Sequence, residues 1–526
     1  MHPPPHPTST PLPRRPPFRP AHLALLGLLL TSCATNPVTG KRELSFYSTE
    51  AQIALGEQHY AAGQQSQGGV YYLDPQLNAY VSKVTQKLVA ASRRVFPAAP
   101  ALPYEIVVLN NPVPNAWAMP GGKMAINHGL LSKMNDEAEL AAVLGHEIIH
   151  AAAAHSATAL SRNALFSAGG MAVNALAQGS RHSDQIGRIT QLGSTAWMAR
   201  YGRDDELEAD HHGMRLMAEA GYDPYGAVRL QETFVALNEG GRKDFIAGLF
   251  ASHPPSPQRV EANRAFATEL PRGGRIGRET YQRAIAQLTR DQAAYEAQQQ
   301  AIQALNAEQP QTALKTLDRA IAIQPNEGQF WELRGHAWQM TGDPANADRA
   351  YSTALQKNPN YYQHWLARGI LRKQQKQPTA AQADLQRSQE LLPTALAAYH
   401  LGELAEQRGD QNQALDYFQQ AAQDRNQIGQ AAQRKLTRHQ MPATPNRYFT
   451  TAVLPNKRGD LFAAVRNDSG LTATAIQLRL THIESQRTHT YRLPAPLQNG
   501  QRINLRTGLP GTAADYRIEV IAARPQ

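Results

Sequence analysis

Three features of the 526-residue sequence predict a mainly helical chain that is built from three successive parts. One segment with helical spacing carries the pattern HEIIH at residues 146–150, and short strand-like runs precede it. Small and aromatic residues then recur every 34 positions over residues 291–426, which is the period of one kind of stacked helix pair. Short alternating runs separated by turn signals follow. We therefore expect a helical domain with a small β-sheet or hairpin, then an α-solenoid, then a small all-β module.

Length and composition place the chain among multidomain globular proteins. Its 526 residues exceed a single ordinary domain, and 42% hydrophobic with 18% charged residues is ordinary globular composition. The formal net charge of +10 is spread along the chain, so it indicates mild attraction to anionic surfaces rather than a nucleic-acid partner. A single cysteine excludes an intramolecular disulfide.

The cysteine, Cys33, follows a segment with the features of a secretion signal, residues 1–32. The apolar run Ala21–Leu30 is too short to span a bilayer as a helix but suits a signal peptide. It leads into the sequence LTSC, which resembles a bacterial lipobox; an ordinary signal with an incidental cysteine is the alternative. We expect Cys33 to be lipidated and the protein to be anchored in the bacterial envelope. Alanine at position 34, in place of aspartate, favours the outer membrane, facing the periplasm.

Between Cys33 and the HEIIH segment the sequence predicts a short extended tether, two helices and two strands. The helices start at about Ser48 and at Asp74, where a capping residue precedes a proline. The runs Tyr104–Leu109 and Lys123–Asn127 predict strands that pair as a small hairpin or sheet edge. A substrate peptide can add to such an edge as a further strand, whereas a purely structural hairpin is the alternative.

The segment around HEIIH predicts a buried helix with a metal site. His146 and His150 are four residues apart and therefore lie on one helical face, with Glu147 beside them. This is the H-E-x-x-H pattern of zinc peptidases, in which the glutamate acts as general base. Asn135 or Asp136 can cap the helix. A chance five-residue match on a surface helix is the alternative.

A second predicted helix, within Trp197–Tyr225, supplies a candidate third ligand. Glu206 and Asp210 share one face because they are also four residues apart. Glu206 could complete a zinc site that leaves one position for water, and Asp210 could accept the free ring N–H of a ligand histidine. A solvated acidic helix is the alternative. Three neighbouring acids are interpreted as solvated side chains: Asp204, Asp205 and Glu208. Three further histidines are interpreted as structural or solvated: His155, His211 and His212.

Between these two helices, residues 156–180 are apolar and contain Gly169-Gly170. They are interpreted either as a core helix or as a mobile cover of the cleft.

At this point the sequence resembles a known family. HEIIH followed by ELEAD is similar to the zinc metallopeptidase family that includes HtpX, the CAAX prenyl proteases and BepA. The resemblance extends to Asn115–Gly122 with Gly129-Leu130-Leu131, and to Ser252-His253-Pro254 with Arg259. The segment that follows the lipobox resembles lipoprotein members of the family. Altogether the resemblance covers roughly residues 34–270.

The resemblance implies a zincin-like metallopeptidase domain of the gluzincin type at residues 33–275, with one zinc ion per chain. It implies that His146, His150 and Glu206 bind zinc, that Glu147 is the general base, and that Asp210 supports a ligand. The implied substrate-binding edge contains Asn115, Ala116, Trp117, Gly121 and Gly122.

Two further histidines relate to the family pattern. His253 matches a position that can occupy the fourth zinc position and keep the enzyme latent, and a loop histidine packed on Pro254 and Pro255 is the alternative. His128 stands where some members have arginine, so its role stays open.

The second half of the chain predicts a repeat domain at residues 285–428 and a β-rich module at residues 446–526. Its 34-residue period resembles tetratricopeptide repeats, which typically bind peptides or partner proteins, although a purely structural solenoid is the alternative. The aromatic residues Trp331, Trp365 and Tyr399 are each 34 residues apart, and a series of small residues that ends at Ala422 keeps the same step. Ala414 is one residue out of register. A polar link is expected over residues 423–445.

The combined prediction is a zinc-dependent endopeptidase of the bacterial envelope. By resemblance, its substrates would be unfolded or misassembled envelope proteins, and the repeats would contact these substrates or the outer-membrane protein assembly machinery. The alternative is a repeat-based scaffold or chaperone with a latent metal site. No motif supports nucleic-acid binding.

Overall fold

The fold is described from a computed structural model over residues 33–164, 201–239 and 253–526. The predicted signal peptide and most of the segment 156–180, including Gly169-Gly170, lie outside these residues. The chain divides into two compact units, residues 1–295 and 296–526. Within the described ranges, no helix combines the length and the apolar character that a membrane span requires.

The first unit consists of helices around a three-stranded sheet. Its ordered elements are β1 (Cys33–Thr35), β2 (Arg42–Leu44), α1 (Thr49–Ser66), α2 (Pro75–Val95), β3 (Glu105–Leu109), β4 (Ala116–Ala118), β5 (Lys123–Asn127), a single helical turn (His128–Leu131), α3 (Glu137–Ala152), α4 (residues 155–164), α5 (Arg203–Glu219), α6 (Tyr225–Glu239), α7 (Pro257–Ala267) and α8 (Arg278–Ala284).

The predicted tether after Cys33 is wrong, because this segment folds into an antiparallel hairpin of β1 and β2. Asn36 forms its turn by accepting the backbone N–H groups of Val38 and Thr39 at its side-chain oxygen. Its side-chain nitrogen donates to Glu43, on β2, and to Glu208, on α5. The hairpin is therefore attached to the body of the unit by polar contacts that the local sequence does not reveal.

The predicted hairpin of residues 104–109 and 123–127 is also wrong. β3 and β5 are parallel neighbours, and the intervening β4 pairs antiparallel with β5, which gives the sheet order β3-β5-β4. The turn-rich segment between them reverses the chain twice, so that β5 returns in the direction of β3. As a consequence, β5 lies in the centre of the sheet and β4 lies at an edge.

Helix α3 is buried along its whole length, as its apolar faces predict. Asp136 caps it by accepting the backbone N–H of Glu139. Glycines at the crossing with α5 allow a close approach: a Cβ atom on Gly213 would lie 2.9 Å from the backbone nitrogen of His146, and one on Gly145 would lie 3.0 Å from the carbonyl oxygen of Gly213. This close crossing brings Glu206 on α5 next to the histidines of α3.

The second unit, which starts within α9, contains paired helices followed by strands. Its elements are α9 (Ala286–Asn306), α10 (Pro310–Ile323), α11 (Gly328–Met340), α12 (Pro344–Lys357), α13 (Tyr362–Gln374), α14 (Pro378–Leu391), α15 (Ala395–Gln407), α16 (Gln411–Ala421), α17 (Gln427–Gln440), β6 (Phe449–Pro455), β7 (Leu461–Asn467), β8 (Ala473–His482), β9 (Thr488–Arg492), β10 (Arg502–Arg506) and β11 (Tyr516–Pro525).

The helix pairs form tetratricopeptide-type repeats with one change of register. In successive pairs, a glycine of the first helix packs against a large side chain of the second: Gly335 on Tyr351, Gly369 on Leu385, and Gly402 on Phe418. The last step between these glycines is one residue shorter than the step before it. Ala414 and Ala421 are accordingly fully buried in the fourth pair, whereas Ala422 is only partly buried. Tyr399 precedes its glycine by three residues, whereas Trp331 and Trp365 precede theirs by four, so the predicted register of Tyr399 and Ala422 is wrong there.

The predicted polar link is wrong, because helix α17 occupies most of it. Ala432 and Leu436 on this helix join the core formed by Ala398, Ala414 and Phe418. The helix is polar overall and buries only a narrow apolar stripe, as expected for an element that closes the end of a solenoid.

The C-terminal strands form two three-stranded antiparallel sheets, β10-β7-β6 and β11-β8-β9, with a common core. Strand β6 is the first strand of the predicted module. The predicted fold class is confirmed: a helical domain with small sheets is followed by a helical repeat domain and an all-β module.

Candidate metal centre and active site

Four buried side chains converge where α3 crosses α5. They are His146, His150, Glu206 and His253, and each offers one ligand atom within 4.8 Å of the others. The Nε2 atoms of His146 and His150 are 3.0 Å apart, and His150 Nε2 lies 3.4 Å from Glu206 Oε1. His253, from the loop before α7, places Nδ1 2.9 Å from the same Glu206 oxygen and 3.3 Å from His146 Nε2.

This arrangement fits a zinc ion. Zinc binds imidazole nitrogen and carboxylate oxygen at about 2.0–2.1 Å in tetrahedral sites, which separates the ligand atoms by about 3.3 Å. The measured separations of 2.9–3.4 Å are close to that spacing. Two buried imidazole nitrogens that face each other at 3.0 Å with a carboxylate beside them also need a shared positive partner. His146, His150, Glu206 and His253 could together hold one zinc ion.

Asp210 lies behind His146, on the side away from the converging atoms. Its Oδ1 is 2.9 Å from His146 Nδ1, so the ring N–H donates to the carboxylate and Nε2 remains free for a metal. Sequence spacing predicted this contact from the position of Asp210 one turn after Glu206.

Arg259 connects the two carboxylates of α5. Its guanidinium donates to both oxygens of Asp210, at 2.6 and 2.7 Å, and its Nη1 forms an ion pair with Glu206 Oε2 at 2.7 Å. The same Nη1 donates to the carbonyl of Pro254, next to His253. Burial by itself would raise the pKa of Asp210, but the charge of Arg259 and its hydrogen bonds hold that pKa below its usual range. The sequence indicated Arg259 as part of a motif without assigning it a role.

Glu147 is buried beside the ligand atoms and is 2% exposed. Its Oε2 has no hydrogen-bond partner among the described residues, and its Oε1 lies 3.7 Å from His253 Nε2. Burial raises the pKa of this carboxyl, against the opposing effect of the nearby histidines. A carboxylate with a free oxygen and a raised pKa next to a metal position is suited to accepting a proton.

The predicted substrate-binding residues take different positions. Ala116 starts the edge strand β4, whereas Trp117 packs edge-on against Tyr60 in a core cluster. Gly121 has φ 79°, and a Cβ there would lie 2.5 Å from the Cα of Ile53 on α1. Gly122 shares its left-handed backbone conformation, with φ 88°.

Asn115, the fifth predicted residue, accepts a hydrogen bond from the backbone N–H of Asn127 at its backbone carbonyl oxygen. Apart from Ala116, these residues therefore have structural contacts that shape and hold the edge.

Tyr201 links the edge strand to the metal site, although no sequence pattern indicated a role for it. Its ring stacks on His150 with centroids 3.9 Å apart, and its hydroxyl forms a hydrogen bond with Ser156 and another with the carbonyl of Ala118. A cavity of about 30 Å³ also opens beside His146 and Glu147, with polar side chains of the site on one part of its lining and apolar side chains on the rest. Its lining includes Leu130, Val143, Met214, Leu230 and Phe234.

The remaining histidines differ in their surroundings. His155 is 1% exposed and contacts His150, which fits the structural alternative of its prediction. Glu208, which was predicted to be solvated, instead accepts a hydrogen bond from His155. His211 stacks on Phe266, and His212 packs edge-on against Phe96. His128 is buried, and the centroid of its ring lies 4.3 Å from the centroid of the Tyr295 ring.

Comparison with known proteins agrees with this site. Residues 75–267 match the model of "Peptidase family M48". The chain is 37% identical over 150 residues to the metalloprotease YcaL of Escherichia coli (strain K12), a match that covers 28% of this chain and 56% of YcaL. It is 32% identical over 182 residues to the mitochondrial metalloendopeptidase OMA1 of Schizosaccharomyces pombe, covering 34% and 50%.

A third relative is the beta-barrel assembly-enhancing protease of Escherichia coli O157:H7, at 26% identity over 224 residues, covering 40% of this chain and 45% of the relative. This chain thus spans about half the length of each of the three relatives.

The first unit is thus defined by its buried histidine and glutamate set as a metallopeptidase domain with zinc as its cofactor. More specifically, residues 75–267 of this unit are similar to peptidase family M48.

Proposed function

We propose that this chain is a zinc-dependent endopeptidase of the bacterial envelope that degrades misfolded or stalled outer-membrane and periplasmic proteins. The observation that carries this proposal is the free carboxylate oxygen of Glu147 beside four converging ligand atoms. The envelope context is supported by relatives that are named beta-barrel assembly-enhancing protease. We further propose that Cys33 carries a lipid anchor that holds the protein at the outer membrane.

The residues of the site divide the chemistry between them. His146, His150 and Glu206 would hold the zinc ion, which would supply a Lewis acid for the scissile carbonyl and the attacking water. Glu147 accepts the proton of that water and transfers it to the leaving amine. Asp210 keeps the ring of His146 in the required tautomer.

Substrate binding is assigned to strand β4 and the adjacent cavity. A peptide that adds to Ala116–Ala118 as a further strand gains backbone hydrogen bonds that do not depend on its sequence, which suits unfolded substrates. The cavity between Leu230 and Phe234 takes one small or medium apolar side chain of the substrate. We therefore expect cleavage beside apolar residues rather than at a strict motif.

The repeats are proposed to recognise substrates or the outer-membrane assembly machinery. Neighbouring first helices of the repeats present paired side chains: Gln339 donates to Gln374 across one step, and Lys373 bonds to Glu403 across the next. Such internally paired polar residues favour contact with neutral polar or amide-rich chains over a strongly charged ligand.

Zinc removal tests the enzyme assignment. Purified protein should digest a urea-unfolded outer-membrane β-barrel protein when it is diluted out of urea, and a chelator should stop digestion until zinc is added back. The digestion is followed by gel, and the cleavage sites are mapped by mass spectrometry. If the zinc-loaded protein leaves the unfolded barrel intact while still preventing its aggregation, the scaffold alternative is favoured.

Replacement of His253 by alanine is expected to raise peptidase activity about tenfold. His253 Nδ1 lies 2.9 Å from Glu206 Oε1, among the four converging ligand atoms. We infer that His253 fills the fourth ligand position at rest, so that the fraction of molecules with an open site limits the reaction. The rate of cleavage of an unfolded substrate measures the effect, with zinc content determined in parallel. His211→Ala, which removes an exposed histidine from the same unit, is the control. Unchanged or lowered activity of His253→Ala with full zinc content contradicts a latent state held by this residue.

A further inference from the structure

The two α3 histidines are held from behind in different ways. His146 donates directly to the carboxylate of Asp210, whereas the Nδ1 of His150 lies 2.8 Å from the Nδ1 of a third histidine, His155. His155 Nε2 in turn lies 3.2 Å from Glu208 Oε1. The same glutamate oxygen accepts a hydrogen bond of 2.7 Å from Asn36.

The direction of this chain of hydrogen bonds follows from the tautomers. His150 turns Nε2 towards the other ligand atoms, so its proton is on Nδ1. His155 Nδ1 must then accept that proton's hydrogen bond, and His155 Nε2 must carry a proton that it donates to Glu208. Each donor therefore has one acceptor, and the imidazole of His155 connects the carboxylate of Glu208 to His150 by two hydrogen bonds.

The backbone explains how His155 reaches this position. Helix α3 ends at Ala152, and Ala154 adopts a left-handed conformation with φ 58°, which is uncommon for a residue other than glycine. The chain turns there, and His155 at the start of α4 comes back towards the metal helix. On a continuous helix a residue five positions after His150 would point elsewhere.

The β1–β2 hairpin, which begins at Cys33, provides the last contacts of this hydrogen-bonded chain. Asn36 is 3% exposed and bridges Glu208 to Glu43 on β2. Thr158 on α4 donates to the other oxygen of Glu43. The hairpin thus holds both α5, through Glu208, and α4, three residues after His155.

We propose that His155 and Glu208 are positioning residues that orient His150 for the metal, and that Asn36 couples the hairpin behind Cys33 to this ligand. Hydrogen-bond partners of ligand histidines fix the tautomer, the ring orientation and the basicity, and their loss typically lowers metal affinity about 10–100-fold. The proposal rests on the zinc site of the proposed function and assigns part of its strength to residues outside the ligand set.

Zinc affinity of the full chain, measured by competition with a chromophoric chelator, tests the proposal without reference to peptidase activity. His155→Ala is expected to weaken zinc binding about 10–100-fold. His155→Asn should recover part of the loss, because its side-chain oxygen can accept from His150. Glu208→Gln should weaken binding by a smaller factor, and Asn36→Ala by less again. The matched control is Asp204→Asn, which changes an exposed acid on the same helix as Glu208. This variant should bind zinc with the affinity of the unaltered protein.

Three outcomes separate the possibilities. If the unaltered chain binds no zinc, the proposed function itself fails. If it binds zinc and His155→Ala binds with equal affinity, the positioning role of His155 is overturned. If only Asn36→Ala is without effect, the coupling to the hairpin is overturned. Circular dichroism of the zinc-free variants shows whether each is folded, and His155→Asn provides the comparison if His155→Ala is not.

Discussion

Replacing Glu147 by glutamine is expected to lower kcat/KM for an unfolded protein substrate about 10²–10⁴-fold, while zinc content stays unchanged. Glutamine has the same shape as glutamate but cannot accept a proton from the attacking water. Glu147 is not among the four converging ligand atoms, so its replacement leaves the metal position intact. Steady-state cleavage of a fluorogenic or unfolded substrate measures the loss, and metal analysis of the same sample measures the zinc.

The matched control for this variant is Glu219→Gln, which changes an exposed glutamate in the same unit. It should retain full activity. The comparison also separates the two functional classes, because a scaffold or chaperone does not need the carboxylate of Glu147. Equal clearance of an unfolded envelope protein by the unaltered chain and by Glu147→Gln, with zinc in both, contradicts the peptidase assignment.

Replacing Arg259 by leucine is expected to lower the free energy of unfolding of the zinc-free protein by about 3–5 kcal/mol. Arg259 is 5% exposed and pairs with Asp210 and Glu206, both of which are also buried. Its loss leaves two carboxylates without their shared cation inside the unit. Urea unfolding of the full chain, with and without zinc, measures the change, and bound zinc should offset part of it because it supplies positive charge to Glu206.

Two further variants sharpen this prediction. Arg259→Lys keeps the charge but loses the two parallel hydrogen bonds to Asp210, so an intermediate loss is expected. Arg264→Leu removes an exposed arginine that pairs with Glu232 on the surface, and it should change stability by about 1 kcal/mol or less. A loss for Arg259→Leu no larger than that for Arg264→Leu would show that the buried cation does not stabilise the site.

The local patterns of the sequence predicted the helices and the main residues that converge in the site. The spacing of His146 and His150 follows from helical geometry alone, and the structure has both nitrogens facing the same point. The spacing of Glu206 and Asp210 predicted that both carboxylates lie on one helical face, and the family resemblance implied their separate roles; Glu206 faces the histidines and Asp210 lies behind His146. Capping residues such as Ser48 and Asp136 act within three residues along the chain, so they too were readable.

Pairings between distant segments were not readable in this way. Strand β5 pairs in parallel with β3 because the short strand Ala116–Ala118, which lies between them along the chain, pairs antiparallel with the other side of β5. Periodicity within four or five residues does not indicate the direction in which two strands pair. The polar sequence of α17 concealed a helix, because Ala432 and Leu436 are its only residues in the hydrophobic core cluster and its other buried residues are Gly429 and Thr437. The sequence showed only that Ala414 is one residue out of step, whereas the burial of Ala421 in place of Ala422 showed that the fourth repeat as a whole is shifted.

The sequence by itself determined that this chain carries a helix with an H-E-x-x-H site, a set of 34-residue helical repeats and a β-rich end, because these depend on periodicities of single elements. Only the tertiary structure decided which residues support the site: Arg259 between two carboxylates, Tyr201 on His150, and His155 between His150 and Glu208. The physical reason is that a left-handed residue at Ala154 and a glycine crossing at Gly213 redirect the chain. Residues that are distant in sequence, or that a continuous helix would point in different directions, thereby meet at one buried point.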